Sequence, residues 1–371
     1  MKLHKIFLFV TLVTLFYSCI DPQQKSEISF IQVNKYDLAG ENKTLFPIKS
    51  NIPLYGTDPS KQIFFQDINS KEVLMVNINK QTISTTINKN NDNSIWFINM
   101  FFSSQDSIFY LDHNTNKLTL RNKVGKILME YKIDQEFTPI LFFDNRSNVN
   151  GEQFLLANPS KNIGFGKKED RLNYYKDVNP VLLISIKDTA IYCNAIGKFP
   201  DEYINTGNSY NEPNATSCFG NNNNICISFG ADNNLYLYDH SNLILSKKVK
   251  SKFIEKFNPY PDEKQFDMLY LKDYVREEPK YINIVFDPWE NLYYRIAKHR
   301  NIQKSKNNNV ENNWSVIVLD EKLNIIGEKI FRYKYDPRVF IPTPFGILLV
   351  SGNNPLASKT VFTLMKIKIN E

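Results

Sequence analysis

Residues 107–131, SIFYLDHNTNKLTLRNKVGKILMEY, lie on residues 224–248, NICISFGADNNLYLYDHSNLILSKK, at a constant offset and without a gap. Leu118 falls on Leu235, Leu120 on Leu237, Ile127 on Ile244 and Leu128 on Leu245. Ile108 falls on Ile225 and Tyr110 on Ile227. Both stretches alternate apolar and polar residues at period two, in short runs broken by Asn, Asp and Gly, which is the pattern of strand, turn, strand, turn, strand. A chain made of such units buries its strand faces only by stacking one unit on the next.

The repeat also interprets the one suggestive pair in the chain. Asp239 and His240 sit side by side in LYLYDHSNLIL, as a general base and its orienting carboxylate would. The first copy has Asn122-Lys123 there, and a further copy, VIVLDEKLNII at 316–326, has Asp320-Glu321. Looser copies lie at 73–83 and 181–191. Lys or Glu in place of His destroys a dyad and leaves a turn intact, so His240 is read as a solvated turn residue beside an Asp suited to reversing the chain.

Half the offset is about 58 residues, the size of one four-stranded propeller blade with generous loops. About 350 residues then hold six blades. The expected fold is all-β: a six-bladed β-propeller with about four antiparallel strands per blade. The blades fall at roughly 50–88, 95–134, 139–195, 215–249, 281–331 and 338–370, the third starting on a strand at PILFFD, 139–144. The last blade has three clear strands, and ISFIQVNKY at 28–36 supplies the fourth, closing the ring and removing an exposed edge. Long helical patterns are absent; the best candidate is 263–276, EKQFDMLYLKDYVR, as a short helix or an extended loop.

The first residues are read as a targeting segment. Lys2 and Lys5 precede an apolar run from Ile6 to Tyr17, too short to span a bilayer, followed by Ser18-Cys19. The expected division is a lipoprotein signal peptide at 1–18, a flexible tether at 19–27 starting at a lipidated Cys19, and one propeller domain at 28–371. The consensus Leu three residues before the cysteine is replaced by Phe16, and a plain secretory signal is the alternative. Cys193, Cys218 and Cys226 remain; Cys218 and Cys226 bracket FGNNNNI and would face each other across a hairpin, paired or as free thiols.

With short-stranded blades, a lipidated N-terminus and DPWENLYYRI at 287–296, the chain resembles an uncharacterised family of Bacteroidota lipoproteins with a TolB-like six-bladed propeller. The resemblance implies the fold and an address in the cell envelope, lipid-anchored to the outer membrane. It implies no catalytic residue.

The chain contains no GxSxG, HExxH, P-loop or GxGxxG in strand–helix context, and its four His exclude a His-rich metal site. No cofactor and no metal are expected. Net charge is +6 without a clustered basic stripe, which argues against nucleic acid. The long insertions 158–179, 198–214, 250–280 and 299–313 all join second to third strands or lead from one blade to the next, so all are expected on one face. Insertions gathered on one face of a repeat fold mark its binding face. The candidate binding residues there are Arg171, Tyr174 and Tyr175 from the first insertion, His299 and Arg300 from the last, and Arg295, which interrupts the apolar strand NLYYRIA. Aromatic faces with cationic forks suit a glycan or an anionic group; Arg295 would otherwise be satisfied by a salt bridge to a neighbouring blade. The expected function is a membrane-anchored binding module for a glycan, peptide or protein. A propeller lyase or hydrolase, or a protein–protein scaffold, is the alternative.

Overall fold

The computed structural model describes the strands and a few flanking residues between 27 and 159, most of 166–300, and 313–331, 335–351 and 360–370. Cys19 and the segment around it lie outside the described residues.

Among the described residues the strands form six antiparallel sheets. Sheet I holds Leu45–Ile48, Gln62–Asp67, Val73–Asn77 and Thr82–Ile87. Sheet II holds Met100–Ser104, Ser107–Asp112, Lys117–Arg121 and Ile127–Lys132. In sheet III, Phe137–Thr138 and Asp144–Ser147 both pair with Gln153–Pro159, and Val181–Lys187 and Ala190–Ile196 follow. Of the strand expected at 139–144, residues 139–143 fall outside the described residues, and Asp144 opens the strand Asp144–Ser147. Sheet IV holds Ala215–Phe219, Ile225–Phe229, Asn234–Asp239 and Asn242–Lys248. Sheet V holds Lys280–Asp287, Leu292–Lys298, Trp314–Leu319 and Ile325–Phe331.

Sheet VI joins both ends of the chain. Its strands Tyr335–Thr343, Gly346–Ser351 and Thr360–Asn370 are completed by Glu27–Leu38, which pairs with Thr360–Asn370 from Glu27↔Asn370 to Leu38↔Thr360.

Burial explains the sequence pattern. The third strands Val181–Lys187 and Trp314–Leu319 are buried almost throughout, because sheets pack on both faces, and they read as continuous apolar runs. The fourth strand Asn242–Lys248 has no sheet beyond it and is mostly exposed. One apolar cluster joins sheets II and III through Phe109, Leu118, Leu155 and Ile184. Others join III to IV through Leu183, Ile196, Ile225 and Phe229, and IV to V through Leu235, Leu237, Tyr281 and Ile317. Sheets V and VI share Trp314, Val316, Phe340 and Leu349. The first strand of sheet I touches the first strands of sheets II and VI.

The turns follow Asn and Asp chemistry. His240 has φ of 50° in the two-residue turn between Asp239 and Asn242, and its side chain is largely exposed. In sheet V, Asp320 Oδ1 accepts from the Lys322 and Asn324 amides at 2.9 and 2.7 Å. Asn122 Oδ1 does the same for Lys126 at 2.9 Å in sheet II. Cys218 and Cys226 are cross-strand partners, and no disulfide joins them.

Among the described residues three α-helices sit in the long connections: α1 Lys168–Asp177, α2 Asp201–Thr206 and α3 Met268–Glu277. The last resolves the helix-or-loop choice at 263–276, with Asp267 Oδ1 capping the Tyr270 amide at 2.9 Å. The other two carry no apolar stripe at helical spacing, so no periodicity marks them.

Candidate binding face

The described parts of the long connections of sheets III to V lie at one end of the sheets, held by a few side chains. Arg171 of α1 is the first. Its Nε donates to the Gly207 carbonyl at 2.7 Å, one Nη donates to Gly166 and the other pairs with Asp262. One guanidinium therefore ties three segments: the entry to α1, the end of α2 and the crossing between sheets IV and V. Gly207 ends α2 with φ of 62°, and a Cβ there would meet Leu172 Cγ at 2.6 Å.

Glu278, just after α3, is the second. It holds the Arg300 guanidinium with both carboxylate oxygens at 2.8 Å and takes Asn258 Nδ2 at 2.9 Å. The last carbonyls of α3 are capped from two sides. Asn211 Nδ2 donates to Val275 and Glu278 at 3.0 and 2.9 Å. Lys298 Nζ donates to Val275 and Arg276 at 2.9 and 2.7 Å. Burial lowers the Lys298 pKa to about 8.

The third is the carboxylate of Glu328. It accepts from Ser251 Oγ and Ser315 Oγ, each at 2.5 Å, and from the Lys252 amide at 2.7 Å. Both hydroxyls are donors to it, so Ser315 Oγ accepts from His299 at 2.8 Å and the ring proton sits on Nε2. The His299 ring centre lies 4.9 Å from that of Phe253, tilted by 34°, and burial holds its pKa below the usual histidine value.

This order is histidine, serine, carboxylate with serine in the middle. A nucleophilic triad needs the histidine in the middle, and Ser315 is wholly buried. The cluster clasps the 249–255 segment onto sheet V.

Most of the candidate binding residues are spent on this scaffolding. Arg171 is buried in the three-way tie. Tyr174 and Tyr175 are buried against Phe199 and Tyr203, and burial pushes the Tyr174 hydroxyl up to about 12. They pack inward because α1 lies over the open end of the core between sheets III and IV. Arg295 is fully buried. Its Nε donates to Ser228 Oγ at 3.1 Å, and its Nη atoms donate to the carbonyls of Val249 at 2.8 Å, Asn233 at 3.0 Å and Asp232 at 2.5 Å. The salt bridge expected for it is replaced by carbonyl oxygens of sheet IV and its flanking turns. His299 is buried too, and Arg300 alone of the six is half-exposed, paired with Glu278. The structure therefore brings the six to one end of the sheets and turns five of them inward.

The sequence reading missed Glu278, Glu328 and Ser251, because isolated polar residues in loops carry no periodicity to mark them. It also missed the apolar face of α3. Met268 and Leu269 are 70% and 80% exposed, with Tyr270 and Val275 also outward. The i, i+1 and i+7 spacing of Met268, Leu269 and Val275 was visible, but only tertiary contacts decide which side of a helix meets the core. Among the described residues no cluster of His, Cys, Asp and Glu could hold a metal ion, and no helix is long and apolar enough to cross a membrane.

Comparison with solved structures gives the fold a relative. A member of the DUF4221 family from Bacteroides vulgatus superposes with a TM-score of 0.69 at 17% identity, covering 93% of this chain and 99% of that one. Virginiamycin B lyase from Staphylococcus aureus is more distant, at TM-score 0.43 and 9% identity over 91% of this chain and 99% of its own. A gluconolactonase from Xanthomonas campestris gives 0.44 and 8% over 92% and 96%. No curated protein matches the sequence. Residues 29–330 match the family model described as a domain of unknown function, DUF4221, and the chain belongs to that family.

Proposed function

We propose that the protein is a six-bladed propeller of the cell envelope, lipid-anchored through Cys19, whose end carrying α1, α2 and α3 binds a peptide or protein partner. Six packed sheets, with the two chain ends paired in one of them, support the propeller. The signal-like segment and Ser18-Cys19 support export and anchoring.

One observation favours a peptide or protein over a glycan. The cations and tyrosines suited to a sugar are consumed internally, whereas Met268 and Leu269 stand in solvent on a helix pinned at its other end. Exposed methionine and leucine on a fixed helix suit an apolar partner surface.

The test places a photo-crosslinking residue at 269 in the full-length protein in its native envelope. A defined adduct is expected, and the purified partner should lose binding to Leu269→Ser. Absence of an adduct, together with a melting shift from peptidoglycan fragments or neutral sugars, would overturn the peptide reading.

A further inference from the structure

The end of the molecule opposite the three helices carries its own apolar residues, and the chain enters the fold there. The long connections leave where second strands finish, and the sheets share this polarity. Trp314 Nε1, at the start of the third strand of sheet V, donates to Tyr335 O at 3.2 Å, where sheet VI begins. The Tyr281 amide donates to Gly230 O at 2.8 Å, just past the second strand of sheet IV. In sheet VI that end holds Ser351, Thr360 and its partner Leu38, so Asn370 and its partner Glu27 lie at the short-turn end.

Ile127 and Leu128 open the fourth strand of sheet II, and Leu243 and Ile244 open that of sheet IV. All four are about half exposed, at 47%, 49%, 52% and 51%, beside the turns at 122–126 and 239–242. Ile127 and Ile244 are equivalents in the internal repeat. Sheets II and IV flank sheet III, so the two apolar pairs stand apart on one rim.

We infer that this short-turn end is the face laid against the phospholipid bilayer, with Ile127, Leu128, Leu243 and Ile244 in contact with it. The inference rests on the anchoring of Cys19 proposed above, and chain reach decides between the two ends. From residue 19 to residue 27 a fully extended chain spans roughly 28 Å. Reaching past the sheets means running back along a strand of about 23 Å and then a helix layer of about 10 Å. The tether is too short for that and ample for the near end. The rim then meets lipid, while α3 is displayed away from the membrane.

The test uses the full-length, exported protein in vesicles of phosphatidylethanolamine and phosphatidylglycerol carrying a quencher lipid. In a Cys193→Ser background, a fluorophore is placed at Ser241→Cys on the short-turn end or at Glu263→Cys on the helical end. Several-fold stronger quenching at 241 is expected. Equal quenching at both sites, or stronger quenching at 263, overturns the orientation. The mass of the N-terminal peptide is read from the same preparation: an acylated Cys19 with the wrong quenching sinks only the orientation, whereas an unacylated Cys19 sinks the anchoring itself. A combined Ile127→Ser and Ile244→Ser variant with an unchanged circular dichroism spectrum should lose part of the quenching at 241. Unchanged quenching in that variant overturns the contact by the apolar rim.

Discussion

The guanidinium carbon of Arg295 lies 3.4 Å from the centre of the Tyr281 ring, with the charge over the aromatic face and the donors turned toward the carbonyls of sheet IV. Tyr281 in turn accepts from the Ser251 amide at 3.0 Å and donates to Asn233 Oδ1 at 2.9 Å. One cation from sheet V thus closes the end of sheet IV, giving the carbonyls of Asp232, Asn233 and Val249 a shared charged donor. Burial lowers the Arg295 pKa, opposed by Tyr281 and Asp232, and the residue stays charged.

Arg295→Leu is therefore expected to destabilise the protein by at least about 3 kcal/mol, since the Ser228 hydroxyl and the carbonyls of Asp232, Asn233 and Val249 lose one charged donor together. Arg295→Lys should recover only a minor part, because an ammonium cannot reach Ser228, Val249 and Asp232 at once. Urea unfolding of the three proteins checks this. A cost of Arg295→Leu within about 0.5 kcal/mol, the range of a surface change, would contradict the structural role.

Arg171→Leu tests the helical layer separately. It removes the bonds from α1 to Gly207 and Asp262 while leaving the sheets intact. Faster protease cleavage within 160–210, with a smaller loss of global stability than for Arg295→Leu, is the expected result. Amide exchange confined to α1 and α2 would report the same loosening.

His299 sets a pH dependence. Burial holds its folded pKa below the unfolded value of 6.5, so above that value the neutral ring costs nothing. As pH falls below 6.5 the unfolded chain takes up the proton first, and stability drops until the folded pKa is passed. The slope is at most about 1.4 kcal/mol per pH unit. His299→Gln should flatten the stability curve between pH 6.5 and acid while keeping a donor for Ser315. An unchanged slope would show that other groups carry it.

Met268→Ser and Leu269→Ser should alter stability by less than about 0.5 kcal/mol each, as expected for exposed positions. They should nonetheless abolish capture of the α3 partner. Large destabilisation would mean that these side chains pack on something in the free protein.

Gly220 tests how closely sheets IV and V approach at the short-turn end. A Cβ there would lie 1.7 Å from the Tyr293 hydroxyl oxygen, so Gly220→Ala must displace a buried tyrosine. A cost of about 1–3 kcal/mol is expected, with only partial recovery when Tyr293→Phe is added because the ring Cζ would still lie 2.7 Å from the new Cβ, and thermal unfolding of the single and double variants reads it.

The strands were legible because each is a run of period two or of continuous β-branched and aromatic residues, and the turns because Asn and Asp punctuate them. The 117-residue repeat alone located sheets II and IV, and it identified Asp239-His240 as a turn, as the φ of His240 and its exposed ring bear out. The convergence of the insertions on one end followed from counting strands. The error lay in the side chains. Arg171, Tyr174, Tyr175 and Arg295 had the residue types of a binding site, and the fold uses them to cap and tie its own loops.

Local sequence determined where the backbone is extended and where it reverses, since those choices depend on neighbours one to four residues away. It also determined that the two ends of the chain meet, because a three-stranded sheet at the C-terminus needed one more strand. The tertiary structure decided which polar groups face inward. That choice depends on which acceptors, from segments up to 91 residues distant as for Arg171 and the Asp262 carboxylate, come within reach once the sheets are packed.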